Sequence, residues 1–100
     1  MPRLYHGTRK PGKVRRKGLQ AKYSKSDDEI FLSPLKGVAA HYGKVIAVDV
    51  PESMVVRTFE EYDRDPTKIL LTPSIARTRR RTIAPEFISG ENVDTSEFGF

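Results

Sequence analysis

The stretch EIFLSPLKGVAAHYGKVIAVDV, residues 29–50, decides the fold, because it reads as strand, helix, strand. EIFLS (29–33) is apolar and β-prone. Ser33 then suits a helix N-cap, and Pro34 suits the first helical position. Leu35, Val38, Ala39 and Tyr42 recur at helical spacing, which predicts one apolar face. Gly43 suits the stop. KVIAVDV (44–50) is the clearest strand in the chain, and Pro51 ends it.

Reading outward, Leu4 to His6 predicts a short strand that Gly7 and Thr8 break. Lys13 to Leu19 predicts a helical turn or short helix after Pro11–Gly12, with Gly18 near its end. QAKYSKSDD (20–28) is a polar loop. MVVRTF (54–59) predicts a strand, or a strand and a turn. KILLT (68–72) predicts a strand bounded by Pro66 and Pro73. RTIAPEFIS (81–89) predicts a strand whose Pro85 requires an edge or a bulge. The tail from Gly90 is acidic and weakly patterned; Phe98 and Phe100 either dock or the tail frays. The sum is one α+β domain over residues 1–100, mainly β, with one or two short helices in its N-terminal half.

At 100 residues the chain builds a modest core. Seven glycines and seven prolines fit many short elements joined by turns. The absence of cysteine removes disulfides, thiolate zinc sites and cysteine nucleophiles. Two histidines and scattered acids form no HExxH pattern, so no metal is expected. No apolar run reaches membrane-spanning length, and the basic N-terminus lacks the apolar core of a signal peptide, so the expectation is a cytoplasmic protein with no membrane partner. No GxSxG, GxxxxGK[ST] or GxGxxG is present, so triad-hydrolase, P-loop and Rossmann sites find no support.

Net charge is +5, and its distribution matters more than its size. From Arg3 to Lys25 there are nine Lys or Arg and no acid. Acidic knots follow at Asp27–Glu29 and at Glu60, Glu61, Asp63 and Asp65, and a second basic cluster at Arg77, Arg79, Arg80 and Arg81. Such clusters either attract phosphates or form a solvated face.

Three segments can carry chemistry. His6 ends a predicted strand, and Gly7 beside it lets a ligand approach the backbone. The histidine is a structural hydrogen-bonding group or a ligand contact. Tyr42 closes the predicted helix, as core or as a face for a flat ring. His41 falls about 100° away around a helix and should not share that face. Glu86 alternates with Ala84 and Ile88 on one side of the predicted strand, either at an exposed margin or semi-buried with a raised pKa.

In order and spacing these segments resemble the His–Tyr–Glu branch of the ADP-ribosyltransferase superfamily, which includes poly(ADP-ribose) polymerases and diphtheria-type toxins. LYHGT looks like its first motif, EIFLSPLKGVAAHYG its second, and APEFI its third. The resemblance implies a mainly β split sandwich with one or two short helices, and NAD as substrate. It implies that His6 bonds a ribose hydroxyl and that the Gly7 backbone holds the carboxamide, with Thr8 and Ser33 nearby. Tyr42 would stack on nicotinamide, with Phe31 as a second wall. Glu86 would stabilise the oxocarbenium-like ribose as nicotinamide leaves, before ADP-ribose passes to a protein or nucleic acid acceptor. Arg9, Arg15, Arg16, Arg77, Arg79 and Arg80 would meet acceptor phosphates.

The chain is also similar to the RNA 2′-phosphotransferases, which share this fold and NAD chemistry. YHGT, KGL (17–19), IFLSP and KILLTP echo their pattern. That family typically has histidine where this chain has Phe31, and it relies on arginines rather than a glutamate. A non-enzymatic, basic nucleic-acid-binding module is a further alternative. Its aromatics, however, are not interleaved with basic residues as a stacking platform requires.

Overall fold

The computed structural model describes residues 3–20, 30–56, 68–72, 74–78, 82–91 and 93–96. Of the loop expected over 20–28, Gln20 instead lies in a strand, and residues 21–28, the end of MVVRTF, Arg79, Arg80, and the tail with Phe98 and Phe100 lie outside these residues. The described elements run β1 (Arg3–Thr8), α1 (Pro11–Lys17), β2 (Leu19–Gln20), β3 (Ile30–Leu32), α2 (Lys36–Ala40), β4 (Lys44–Asp49), β5 (Val55–Val56), β6 (Ile69–Leu71), β7 (Ala76–Thr78) and β8 (Thr82–Ile83). Two 3-10 turns, Glu52–Met54 and Pro85–Phe87, complete them. This is a small α+β fold, mostly strands in open sheets with two helices.

β4 organises the molecule. Its Val45-Ile46-Ala47-Val48 run is buried throughout, because both of its faces are covered. Ile46 and Val48 join Leu4, Ile69, Ile83 and Val50 in the main core. Val45 packs on the other face with Ala39 and Ala40 of α2 and with Tyr5. β1 lies antiparallel to β4, from Arg3 opposite Asp49 to Thr8 opposite Lys44. The strand therefore does not break at Gly7 and Thr8, since β4 supplies a partner for both. At its far end Arg3 forks onto the Asp49 carboxylate at 2.8 and 3.1 Å.

A second sheet has the order β3-β7-β6-β5, with β5 and β6 parallel; β2 and β8 form a short antiparallel pair. β7 was not expected. It sits between β3 and β6 and alternates buried Ala76 and Thr78 with outward Arg77.

Other expectations need correction too. The first helix is Pro11–Lys17, so it takes in Pro11 and Gly12 and stops short of Leu19, which stands in β2. The helix after Ser33 begins only at Lys36, and Ser33 continues the strand: its amide donates to Tyr5 O at 2.8 Å and its carbonyl accepts the Tyr5 amide at 2.7 Å. The Ser33 hydroxyl accepts from the Leu35 amide and donates to Ser74 O, so it ties three segments together without capping α2. The buried stripe of α2 is Ala39 and Ala40, whereas Leu35 and Tyr42 are 52% and 73% exposed. The helix ends at Ala40, so the predicted face outruns it. RTIAPEFIS likewise is not one strand. After the two residues of β8, Pro85 opens a 3-10 turn that Phe87 N–H to Ala84 O closes.

Candidate functional site

β1 and β3 touch through one bridge, Tyr5 to Ser33. Beyond it β1 stays with β4 while β3 pairs with β7, and the sheet splits. A cavity of about 660 Å³ opens at this split, within the range of ligand pockets. His6, Gly7, Thr8, Arg9, Phe31, Ser33 and Tyr42 all line it, so the first two segments singled out in the sequence come together.

His6 spans the split. Its Nδ1 lies 2.7 Å from the Phe31 carbonyl oxygen. A carbonyl only accepts, so Nδ1 carries the proton and, in the neutral ring, Nε2 keeps a lone pair. Burial holds the His6 pKa below its ordinary value of 6.5, against the opposing pull of the Phe31 carbonyl. The ring is therefore neutral at pH 7, with Nε2 ready to accept a hydroxyl hydrogen.

Gly7 serves the fold and the site together. A Cβ there would drive into the Ala39 carbonyl oxygen and come within 2.9 Å of Tyr42 Cβ. Only glycine lets α2 rest this close on β1. Because both backbone groups of Tyr5 bond Ser33, strand alternation aims the Gly7 amide and carbonyl at the same edge, past the bridge and into the split. Thr8 turns the chain: its Oγ1 accepts the Lys10 amide at 3.1 Å. The Ser33 hydroxyl is occupied with Ser74 and Leu35, so this residue positions the wall.

Tyr42 and Phe31 are exposed rings in the cavity lining. His41 lines it too. His41 caps α2 with helical φ −65 and ψ −17, so the two neighbours line one cavity without sharing a helix face.

Glu86 does not join them. It sits exposed on the 3-10 turn and is not among the lining residues, and its expected place on an apolar strand face is replaced by that turn. Arg15, Arg16 and Arg77 also lie outside the lining, and Arg77 stands across from Phe31 in the β3–β7 ladder.

The sequence reading missed Lys13, Lys17, Gln20, His41 and Ile75 in the lining. Lys13 and Lys17 are four apart, one helical face, and that spacing was legible. Ile75 was not, because β7 was not. No Asp or Glu is among the described residues of the lining, and no described group of His, Asp and Glu could hold a metal ion. No described helix is long and apolar enough to cross a membrane. No family model matches the chain, and no curated protein or solved structure is significantly similar to it.

Proposed function

We propose that the cavity binds NAD and that the protein is an NAD-dependent transferase, breaking the nicotinamide–ribose bond and passing the anomeric carbon to an acceptor. One observation carries this: His6, the Gly7 backbone, Phe31 and Tyr42 converge on one cavity. Phe31 and Tyr42 offer ring faces for nicotinamide. The Gly7 amide and carbonyl match a carboxamide, one acceptor and one donor. Neutral His6 accepts a hydrogen from a ribose hydroxyl through Nε2. A ring held this way positions the leaving group.

The acceptor reading turns on charge. Departure of nicotinamide leaves an oxocarbenium-like ribose that needs a nearby anion. With Glu86 away from the cavity and no described carboxylate lining it, an acceptor that brings its own anion fits best: an RNA 2′-phosphate. A phosphate oxygen attacks the anomeric carbon, the C–N bond breaks, and its electron pair neutralises the pyridinium nitrogen. The neighbouring ribose hydroxyl then attacks phosphorus, its new P–O bond replacing the one to the RNA 2′-oxygen, which leaves as a hydroxyl with the proton that the attacking group gives up. Arg9 in the lining suits that phosphate. Transfer of ADP-ribose to a protein or nucleic acid acceptor is the second reading, favoured by the Tyr42 ring in the cavity.

Incubation of the purified protein with NAD and an RNA bearing an internal 2′-phosphate tests the choice. Expected are nicotinamide release and loss of the 2′-phosphate, both abolished in Tyr42→Ala and kept in Glu86→Gln. Modification of protein acceptors, lost in Glu86→Gln, would install the second reading. Absence of NAD binding and consumption overturns both.

A further inference from the structure

The ladder between β1 and β3 stops after one pair. Tyr5 and Ser33 exchange both backbone bonds, at 2.7 and 2.8 Å. In an antiparallel ladder the next such pair lies two residues on along one strand and two back along the other. Here that pair is Gly7 and Phe31. Alternation aims the amide and carbonyl of both into the same gap, because the other edge of β1 pairs with β4 and that of β3 with β7. Yet no backbone bond joins these two described residues. The Phe31 carbonyl accepts instead from His6 Nδ1, at 2.7 Å. The α2 helix does not cause the gap: it rests where a Gly7 Cβ would stand, on the face of the strand and not on this edge. The His6 ring does reach the edge. It starts one residue before Gly7 and ends on the oxygen that the Gly7 amide would need to approach within about 3 Å.

We infer that His6 is a strut: its ring holds the Phe31 carbonyl at side-chain distance from β1, blocks the Gly7–Phe31 backbone pair, and so keeps open the split that forms the cavity. Without the ring the ladder gains a second pair of backbone bonds and zips. The Cα atoms of residues 7 and 31 then close to about 5.5 Å, and the cavity loses the space between them. This positioning role is separate from the hydroxyl contact proposed at Nε2, and it does not depend on what the cavity binds. It also gives the order histidine-glycine a use. Histidine supplies the strut, and the glycine beside it supplies the edge groups that the strut leaves unpaired.

Amide hydrogen exchange followed by NMR, on the full chain without ligand, tests the strut. The Tyr5 amide is the reference, since it shares the edge and is bonded to Ser33 O. In the wild type the Gly7 and Phe31 amides should exchange faster than Tyr5 by about tenfold or more. In His6→Ala both should slow toward the Tyr5 rate by a similar factor. The sign is diagnostic: loss of an ordinary structural contact speeds exchange, whereas loss of a strut slows it at these two amides. His6→Val, a strand former equally unable to reach Phe31 O, gives the same reading should the alanine variant not fold. Wild-type Gly7 and Phe31 amides as slow as Tyr5 would show a ladder already zipped and overturn the inference with no variant needed. A folded variant in which both amides stay fast overturns it too. NAD titration of the same proteins separates this inference from the NAD reading. A zipped variant should lose the NAD binding that the wild type shows; a zipped variant that binds NAD as the wild type does overturns the link between strut and cavity. A wild type that binds no NAD overturns the NAD reading alone and leaves the exchange result standing.

Discussion

Replacing Gly7 with alanine adds one methyl group at the contact between α2 and β1. The new Cβ would overlap the Ala39 carbonyl oxygen, lie 2.9 Å from Tyr42 Cβ and 3.1 Å from Ala39 C. The main obstacle is backbone, so no rotamer change relieves it. The carbonyl must retreat by roughly 1 Å to regain ordinary contact, and it can do so only by lifting α2. That separates Ala39 and Ala40 from Val45 and opens the smaller of the two cores. Overpacking of this kind costs about 1–3 kcal/mol, and the rigid obstacle argues for the upper end. In a domain of this size that lowers the melting temperature by roughly 10–20 °C. Gly12→Ala is the matched control. Its Cβ meets nothing within 4 Å, and the residue is in α1. Alanine there should stabilise by up to about 1 kcal/mol through helix propensity. Thermal melts of the three proteins, followed by circular dichroism, read the contrast directly. A Gly7→Ala protein melting within about 2 °C of wild type would refute the close seating of α2 on β1, and with it the account of why glycine occupies the cavity edge.

Four further outcomes are expected. The His6 pKa lies below 6.5 in the folded chain, so the unfolded chain takes up the proton first. Stability should therefore fall as pH drops from about 6.5 through the lower folded value; in His6→Asn, which keeps a donor for Phe31 O, urea melts across pH should lose that slope. NAD binding should weaken over the same window, because a protonated Nε2 cannot accept a hydrogen bond. Ser33→Ala removes the acceptor of the Leu35 amide and the donor to Ser74 O, and should cost about 1–3 kcal/mol in urea unfolding. Glu86→Gln, at an exposed turn, should leave stability within about 0.5 kcal/mol and nicotinamide release within twofold.

The parts of the fold that sequence made legible are those whose local pattern and tertiary environment agree. β4 is such a case: its apolar run and the sheet that buries it say the same thing. β7 is the opposite. SIART lies between Pro73 and a run of arginines, and only its place between β3 and β6 makes Ala76 and Thr78 core residues. The same contrast divides the site. His6 and Gly7 were legible as cavity residues because they are neighbours on one strand and stay together wherever that strand ends. Tyr42 reached the cavity for a reason the periodicity did not contain, the early end of α2 at Ala40. Glu86 was misplaced because strand alternation was carried through Pro85, whose fixed φ and missing amide instead start a turn.

The cavity and the fold depend on the same few contacts. β1 is joined to β3 by the Tyr5–Ser33 bridge and the His6–Phe31 hydrogen bond, and Ser33 in turn secures the Ser74 turn and the approach to α2. A ligand seated in the split contacts both sides of this join, together with α1 and the end of α2. It binds the closed arrangement and not the separated strands. Such a ligand stabilises the whole domain by about 2.7 kcal/mol at a hundredfold excess over its Kd. That is a large fraction of what so small a core supplies, since a domain of about 100 residues is held by only about 5–15 kcal/mol. Glycine at position 7 and serine at position 33 are thus required twice, once for the packing and once for the opening that the packing leaves.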